Sequence, residues 1–195
     1  MARPLAGGRA DPGAADPGAA DRADPAGPGA AGPGRGEPSA PQGDLEARVT
    51  TTSATATIDL GRRLAGVARA GDLVCLWGEL GAGKTQLAKG FALGLGIDAT
   101  ITSPTFILMA EYPGRLPLFH VDLYRLIDAA DALAGGVIDD RQADGLTLVE
   151  WPDRMGGVLP AGRLDIRIEG SGDEPRSIAV VATSEAYRRY VAAAR

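Results

Sequence analysis

The stretch that most restricts the fold runs from Asp72 to Leu95. An apolar run ends at Trp77, a glycine-rich loop follows (Gly78, Glu79, Leu80, Gly81, Ala82, Gly83, Lys84, Thr85), and a helical pattern begins on its far side. In that strand–loop–helix setting the pattern G-x-x-x-x-G-K-S/T reads as a phosphate-binding loop rather than a chance match. Glycines let the backbone turn sharply and bring several N–H groups close to phosphate oxygens. A helix starting near Gly83 adds its unpaired N–H groups and the positive end of its dipole. Residues 78–85 are therefore the expected nucleotide-binding segment, with Lys84 reaching the β- and γ-phosphates and the Thr85 hydroxyl on Mg²⁺. The chain has only two lysines, Lys84 and Lys89, and otherwise carries its positive charge on arginine. A compact ammonium suits phosphate as a point charge, which fits Lys84; Lys89 reads as a surface charge on the following helix.

Residues 1–44 are dominated by Ala, Pro, Gly and Asp, and Ala-Asp-Pro-Gly-Ala occurs at 10–14 and again at 15–19. Such a segment cannot bury enough apolar surface to offset its ordering entropy, so a disordered low-complexity tail is expected there. The folded domain is expected over 45–195. The formal charge of −5 and the lack of a basic cluster argue against an independent surface for DNA or RNA. One cysteine, Cys75, cannot form an internal disulfide, and one histidine cannot supply a zinc site. No run is long and apolar enough to span a membrane, and the N-terminus lacks the apolar core of a secretory signal, so the cytoplasm is the expected compartment.

Around the loop, helix and strand patterns mix. Arg48–Thr52 is β-branched and reads as a strand, Ser53 as an N-cap, and Leu60, Leu64, Val67 and Ala68 mark the apolar side of a helix ending near Gly71. Phe106–Tyr112 and Leu116–Tyr124 read as a hairpin with Leu118, His120, Asp122 and Tyr124 on one face. A weak helical segment is expected over 128–141, strands at 146–149, 163–168 and 177–182, and a last helix capped by Ser184. The fold class is α/β, a P-loop NTPase-like three-layer sandwich with a largely parallel central sheet and antiparallel additions.

A nucleotide hydrolase also needs a strand-end carboxylate for Mg²⁺ and a group that orients the attacking water. Glu150 ends Leu-Thr-Leu-Val, and Asp122 ends Leu-Phe-His-Val. Gly-Glu-Leu-Gly-Ala-Gly-Lys-Thr (78–85), Thr-Ser-Pro-Thr-Phe (102–106), His-Val-Asp-Leu-Tyr-Arg (120–125) and Val-Glu-Trp-Pro (149–152) occur in this order. Together they closely resemble the bacterial TsaE family, small ATPases required for threonylcarbamoyladenosine formation in tRNA. The resemblance covers roughly 48–185.

The resemblance implies ATP and Mg²⁺ as cofactors. The triphosphate would lie on residues 78–85, and the cation on Thr85 and Glu150. It places Lys84, Thr105, Asp122 and Glu150 in the catalytic group, with Asp122 beside the γ-phosphate and Ser103 and Thr105 on a switch-like loop. Trp151 would lie next to the site. It further implies action with the TsaB–TsaD complex, in which TsaD modifies adenosine 37 of tRNA; the acidic balance of the chain points to tRNA contact mainly through those partners. Gln86 stands where a second threonine is common, and 128–141 departs from the family's pattern. Thr51–Ala54 and 170–176 are the expected surroundings of the adenine.

Other uses of the same loop remain to be weighed. A metabolite kinase would add an Arg-bearing lid, and no Arg-rich segment follows Glu150. A regulatory GTPase would read guanine with Asn-Lys-x-Asp, and the chain contains no asparagine. A nucleotide-gated binding module without significant turnover would carry the same motifs. Among single residues, His120 could tune Asp122 from the same strand face or simply pack in the sheet. Arg125 and Arg154 could neutralise phosphate or sit in surface ion pairs, and Trp77 reads as core.

Overall fold

The computed structural model describes residues 45–126 and 140–195. The expected tail over 1–44 and most of the expected helical segment over 128–141 lie outside the described residues. The strands are β1 (Glu46–Thr51), β2 (Asp72–Trp77), β3 (Met109–Tyr112), β4 (Leu118–Asp122), β5 (Leu146–Glu150), β6 (Leu164–Glu169) and β7 (Arg176–Ala182). The helices are α1 (Ala54–Gly66), α2 (Lys84–Gly94) and α3 (Arg188–Ala194), with short 3-10 turns at Asp140–Asp144, Pro152–Val158 and Glu185–Tyr187. The seven strands form one sheet in the order β1-β7-β6-β2-β5-β4-β3. Its centre, β6-β2-β5-β4, is parallel, while β3, β7 and β1 pair antiparallel with their neighbours. This is the expected P-loop NTPase-like α/β arrangement, with antiparallel strands added at both edges.

The parallel strands are apolar runs because both their faces are covered. Leu146, Leu148, Val74, Leu76, Leu164 and Ile166 join α1, α2 and α3 in the larger core. Leu73, Cys75, Val121, Leu123, Val149 and Met155 form a smaller cluster on the other face. Burial, then the nearby Asp165, pushes the Cys75 thiol up to about 12, so it acts as a small hydrophobe. Trp77 is only half-buried at the edge of this cluster, not in the core as its sequence setting suggests.

Three local features fix the helices. Ser53 caps α1 as expected, its hydroxyl accepting from Ala56 N–H at 3.1 Å. Glycines then allow α1 and α2 to touch backbone to backbone: a Cβ on Gly90 would lie 2.1 Å from the Ile58 carbonyl oxygen, and one on Gly61 would lie 2.4 Å from that of Leu87. At the other end, Asp72 at the start of β2 accepts from Tyr190 Oη at 2.6 Å, from Arg189 Nη2 at 2.5 Å and from Arg69 N–H at 2.7 Å. Ser184 is not the side-chain cap expected; its carbonyl instead accepts from Tyr187 N–H at 3.0 Å, and a 3-10 turn intervenes before α3.

The expected strand over 106–112 is shorter, because Leu108 takes a left-handed conformation (φ 64°) and Phe106 and Ile107 lie exposed before it. Among the described residues, no helix is long and apolar enough to cross a membrane.

Candidate functional site

Ligands of open α/β sheets bind beyond the carboxyl ends of the parallel strands, and here those ends carry Trp77, Asp122 and Glu150. Gly78, Gly81 and Gly83 all have positive φ (146°, 82° and 108°), which sets the loop between β2 and α2. Gly83 is the N-cap of α2, and no side chain caps it. The first-turn N–H groups at 84–86, which have no partners within the helix, therefore remain available to an anion.

Lys84 is 5 % exposed. Its ammonium donates to the carbonyls of Gly78 (2.6 Å) and Glu79 (3.0 Å) and lies 4.0 Å from the centroid of the Trp151 ring. Burial holds its pKa below the usual lysine value, against the opposing pull of Glu150, Asp122, Glu79 and Asp153. An anion in the loop would relieve that penalty. Gly78 and Glu79 thus act through their carbonyls on the lysine, whereas residues 80–85 line the cleft.

Asp122 and Glu150 are partners in the register of β4 and β5, so both carboxylates face the α1–α2 side at one level. Glu150 Oε1 accepts from the Thr85 hydroxyl at 3.3 Å and from His120 Nε2 at 2.9 Å. With Glu150 ionised, His120 donates from Nε2, and its buried Nδ1 has no hydrogen-bond partner among the described residues. The residue that meets His120 is therefore Glu150, not Asp122 as the shared strand face suggests.

Asp122 Oδ2 accepts from the Thr105 hydroxyl at 2.6 Å and from that of Ser103, while Oδ1 accepts from Tyr124 N–H at 2.9 Å. The backbone N–H of Asp122 donates to the carbonyl of the left-handed Leu108 at 2.9 Å. The loop carrying Ser103 and Thr105 is thereby tied to the strand-end acid by both side chain and main chain. Trp151 also takes a left-handed conformation (φ 60°, ψ 51°), which is costly for a bulky residue. It turns the indole over Lys84 and into contact with Tyr124, with ring centroids 5.0 Å apart.

These groups surround a cleft of about 580 Å³. Thr51–Ala54 and Gly172–Glu174, the segments expected near a base, also line it. Among the described residues no group of three or more His, Cys, Asp or Glu side chains could hold a metal by itself. One hydroxyl and one carboxylate, Thr85 and Glu150, instead suit a hard cation that arrives with phosphate oxygens and keeps some of its water.

The family model described as "Threonylcarbamoyl adenosine biosynthesis protein TsaE" matches residues 51–178. The chain belongs to the TsaE family. It is 41 % identical over 138 residues to the tRNA threonylcarbamoyladenosine biosynthesis protein TsaE of Bacillus subtilis, covering 70 % of this chain and 86 % of that relative. It is 42 % identical over 134 residues to the protein of the same name from Streptomyces coelicolor, covering 65 % of this chain and 90 % of that one. Among solved structures, YdiB of Bacillus subtilis superposes with a TM-score of 0.63 at 34 % identity, covering 76 % of this chain and 93 % of that one.

On this TsaE fold, the motif residues Lys84, Thr85, Ser103, Thr105, Asp122, Glu150 and Trp151 gather in the one cleft. The two arginines considered for phosphate go elsewhere. Arg125 stacks over the exposed Phe106 ring at 3.9 Å, and Arg154 lies 3.6 Å from Asp153. The arginine that does reach the cleft is Arg176. A single arginine at the start of a strand, after a polar glycine loop, looks like any surface charge in the sequence.

Proposed function

We propose that this protein acts in the formation of threonylcarbamoyladenosine at adenosine 37 of tRNA. In this reading it is a Mg²⁺-dependent, slowly hydrolysing ATPase that works with the TsaB–TsaD complex in the cytoplasm, and tRNA is contacted through those partners. The observation that carries the nucleotide chemistry is the contact of Thr85 with Glu150 at 3.3 Å, which joins the phosphate loop to a strand-end carboxylate. Membership of a family whose members are named for threonylcarbamoyladenosine biosynthesis supports the pathway.

The roles follow from position. Residues 78–85 would wrap the triphosphate, with main-chain N–H groups of the loop and of the α2 terminus facing its oxygens. Lys84 would leave the Gly78 and Glu79 carbonyls for the β- and γ-phosphates. Thr85 and Glu150 would hold Mg²⁺; both side-chain hydrogen bonds of Glu150 fall on Oε1, so Oε2 would be free for the cation. Bound Mg²⁺ would neutralise charge across the β- and γ-phosphates.

In hydrolysis, water attacks the γ-phosphorus, the bond to the β–γ bridging oxygen breaks, and ADP leaves. Asp122 would orient that water and accept its proton, with Thr105 beside it. Asp122 Oδ2 is engaged by Thr105 and Ser103, so a water that uses this oxygen must displace one of these hydroxyls. That requirement favours slow turnover. It equally suits a nucleotide-gated binding module, in which partners move the 102–108 loop.

The direct test is binding of ATP to purified protein by calorimetry with and without Mg²⁺. Micromolar binding strengthened by Mg²⁺ and abolished by Lys84→Ala is expected. No binding of adenine nucleotide by the wild-type protein would reject the proposal.

A further inference from the structure

Arg176 opens β7 and lines the cleft, yet its guanidinium is committed to main-chain oxygens. Nε donates to the Ala82 carbonyl at 2.9 Å, Nη2 to that of Gly172 at 2.8 Å, and Nη1 to that of Glu174. Ala82 belongs to the phosphate loop, 94 positions away in the chain. Gly172 and Glu174 belong to the β6–β7 loop, which also lines the cleft. One rigid planar fork thus grips two loops at once, a geometry that a lysine ammonium cannot reproduce.

Two further features make this a joint rather than a surface contact. Ala82 is braced from both sides, because its own N–H donates to the Glu79 carbonyl at 3.1 Å. Next to it, a Cβ on Gly78 would lie 2.6 Å from the Ile168 carbonyl oxygen, so the phosphate loop meets the end of β6 backbone to backbone. A shift of the phosphate loop on taking up an anion would therefore be passed through Ala82 and Arg176 to Gly172–Glu174.

Resting on the nucleotide reading above, we propose that Arg176 is a positioning residue that couples the β6–β7 loop to the phosphate loop. The triphosphate end of a nucleoside triphosphate then sets the wall that receives its other end. Arg176 acts through Ala82, Gly172 and Glu174, not on the reacting atoms.

The test uses the full chain and two probes, ATP and inorganic tripolyphosphate, each with Mg²⁺. Tripolyphosphate has no base or ribose, so an effect of it on 171–174 comes from the phosphates alone, and Arg176→Lys separates transmission through the guanidinium from direct contact. In amide hydrogen exchange, tripolyphosphate should protect 79–86 and also 171–174 in the wild-type protein. Arg176→Lys should keep the first protection and lose the second. It should also lose about tenfold in ATP affinity, the scale of a lost pre-organised wall, with tripolyphosphate affinity changed by less than about threefold.

Protection of 79–86 without 171–174 in the wild-type protein would overturn the coupling, and that measurement decides even if the variant does not fold. Equal losses of ATP and tripolyphosphate affinity in Arg176→Lys would also overturn it. If neither probe protects 79–86, the nucleotide reading itself fails and the coupling with it.

Discussion

Thr85 and Glu150 meet across the cleft, hydroxyl to carboxylate oxygen at 3.3 Å, from the first turn of α2 to the end of β5. The pairing puts a neutral and an anionic oxygen where a cation shared with phosphate would sit. Glu150→Gln keeps the shape and removes the charge. It should leave ATP binding without Mg²⁺ near wild type, remove most of the strengthening by Mg²⁺, and lower hydrolysis by about 100-fold, since a metal-borne contribution is several kcal/mol. Calorimetry and phosphate release check it.

His120 should matter through Glu150. It is fully buried and holds Glu150 Oε1 at 2.9 Å. Partners that orient a metal-binding carboxylate typically contribute about 10–100-fold in metal affinity. His120→Ala should raise the Mg²⁺ concentration needed for half-maximal hydrolysis by that factor, and His120→Gln, which keeps an N–H donor, should recover part of it. A Mg²⁺ titration at saturating ATP reads both.

The Asp72 latch concerns stability, not chemistry. Asp72 draws Arg189 and Tyr190 of α3 onto the start of β2, and burial together with the Asp72 contact raises the Tyr190 pKa. Removing Asp72 leaves the buried Tyr190 hydroxyl without its acceptor and the part-buried Arg189 without its counter-ion, at about 3 kcal/mol. Asp72→Ala should lower the melting temperature by roughly 10 °C, more than Tyr190→Phe does, with ATP affinity at a permissive temperature unchanged. Thermal unfolding followed by circular dichroism measures it.

Gly90→Ala tests the helix contact. The added methyl would meet the Ile58 carbonyl oxygen at 2.1 Å, and that backbone atom has little freedom to yield. Helix propensity alone would favour alanine by about 1 kcal/mol, but overpacking costs about 1–3 kcal/mol or more. A net loss of stability in urea unfolding is expected. Gly66→Ala, where a methyl meets nothing within 4 Å, should be neutral or stabilising.

The phosphate loop was legible because its spacing permits little else: glycines at 78, 81 and 83 between an apolar run and a helical pattern leave one geometry. The strand-end acids were legible for a related reason, since Asp122 and Glu150 each follow an apolar run that must end at the sheet's edge. What joins them was not. Register between β4 and β5 decides that His120 meets Glu150, and no hairpin turn joins these parallel strands to set that register locally. The left-handed Leu108 and Trp151 were hidden because bulky residues rarely adopt that conformation, and the surrounding structure imposes it. A glycine inside a helix ordinarily weakens it, but Gly61 and Gly90 are the contact points of α1 and α2. Arg176 was invisible for want of any periodicity, its role being set by carbonyls of two distant loops.

The central claim is tested most directly by depleting the protein in its own cells and measuring threonylcarbamoyladenosine in bulk tRNA by mass spectrometry. The modification should fall on depletion, return with the wild-type chain and fail to return with Lys84→Ala. An unchanged level after depletion, or full recovery with Lys84→Ala, would contradict the account.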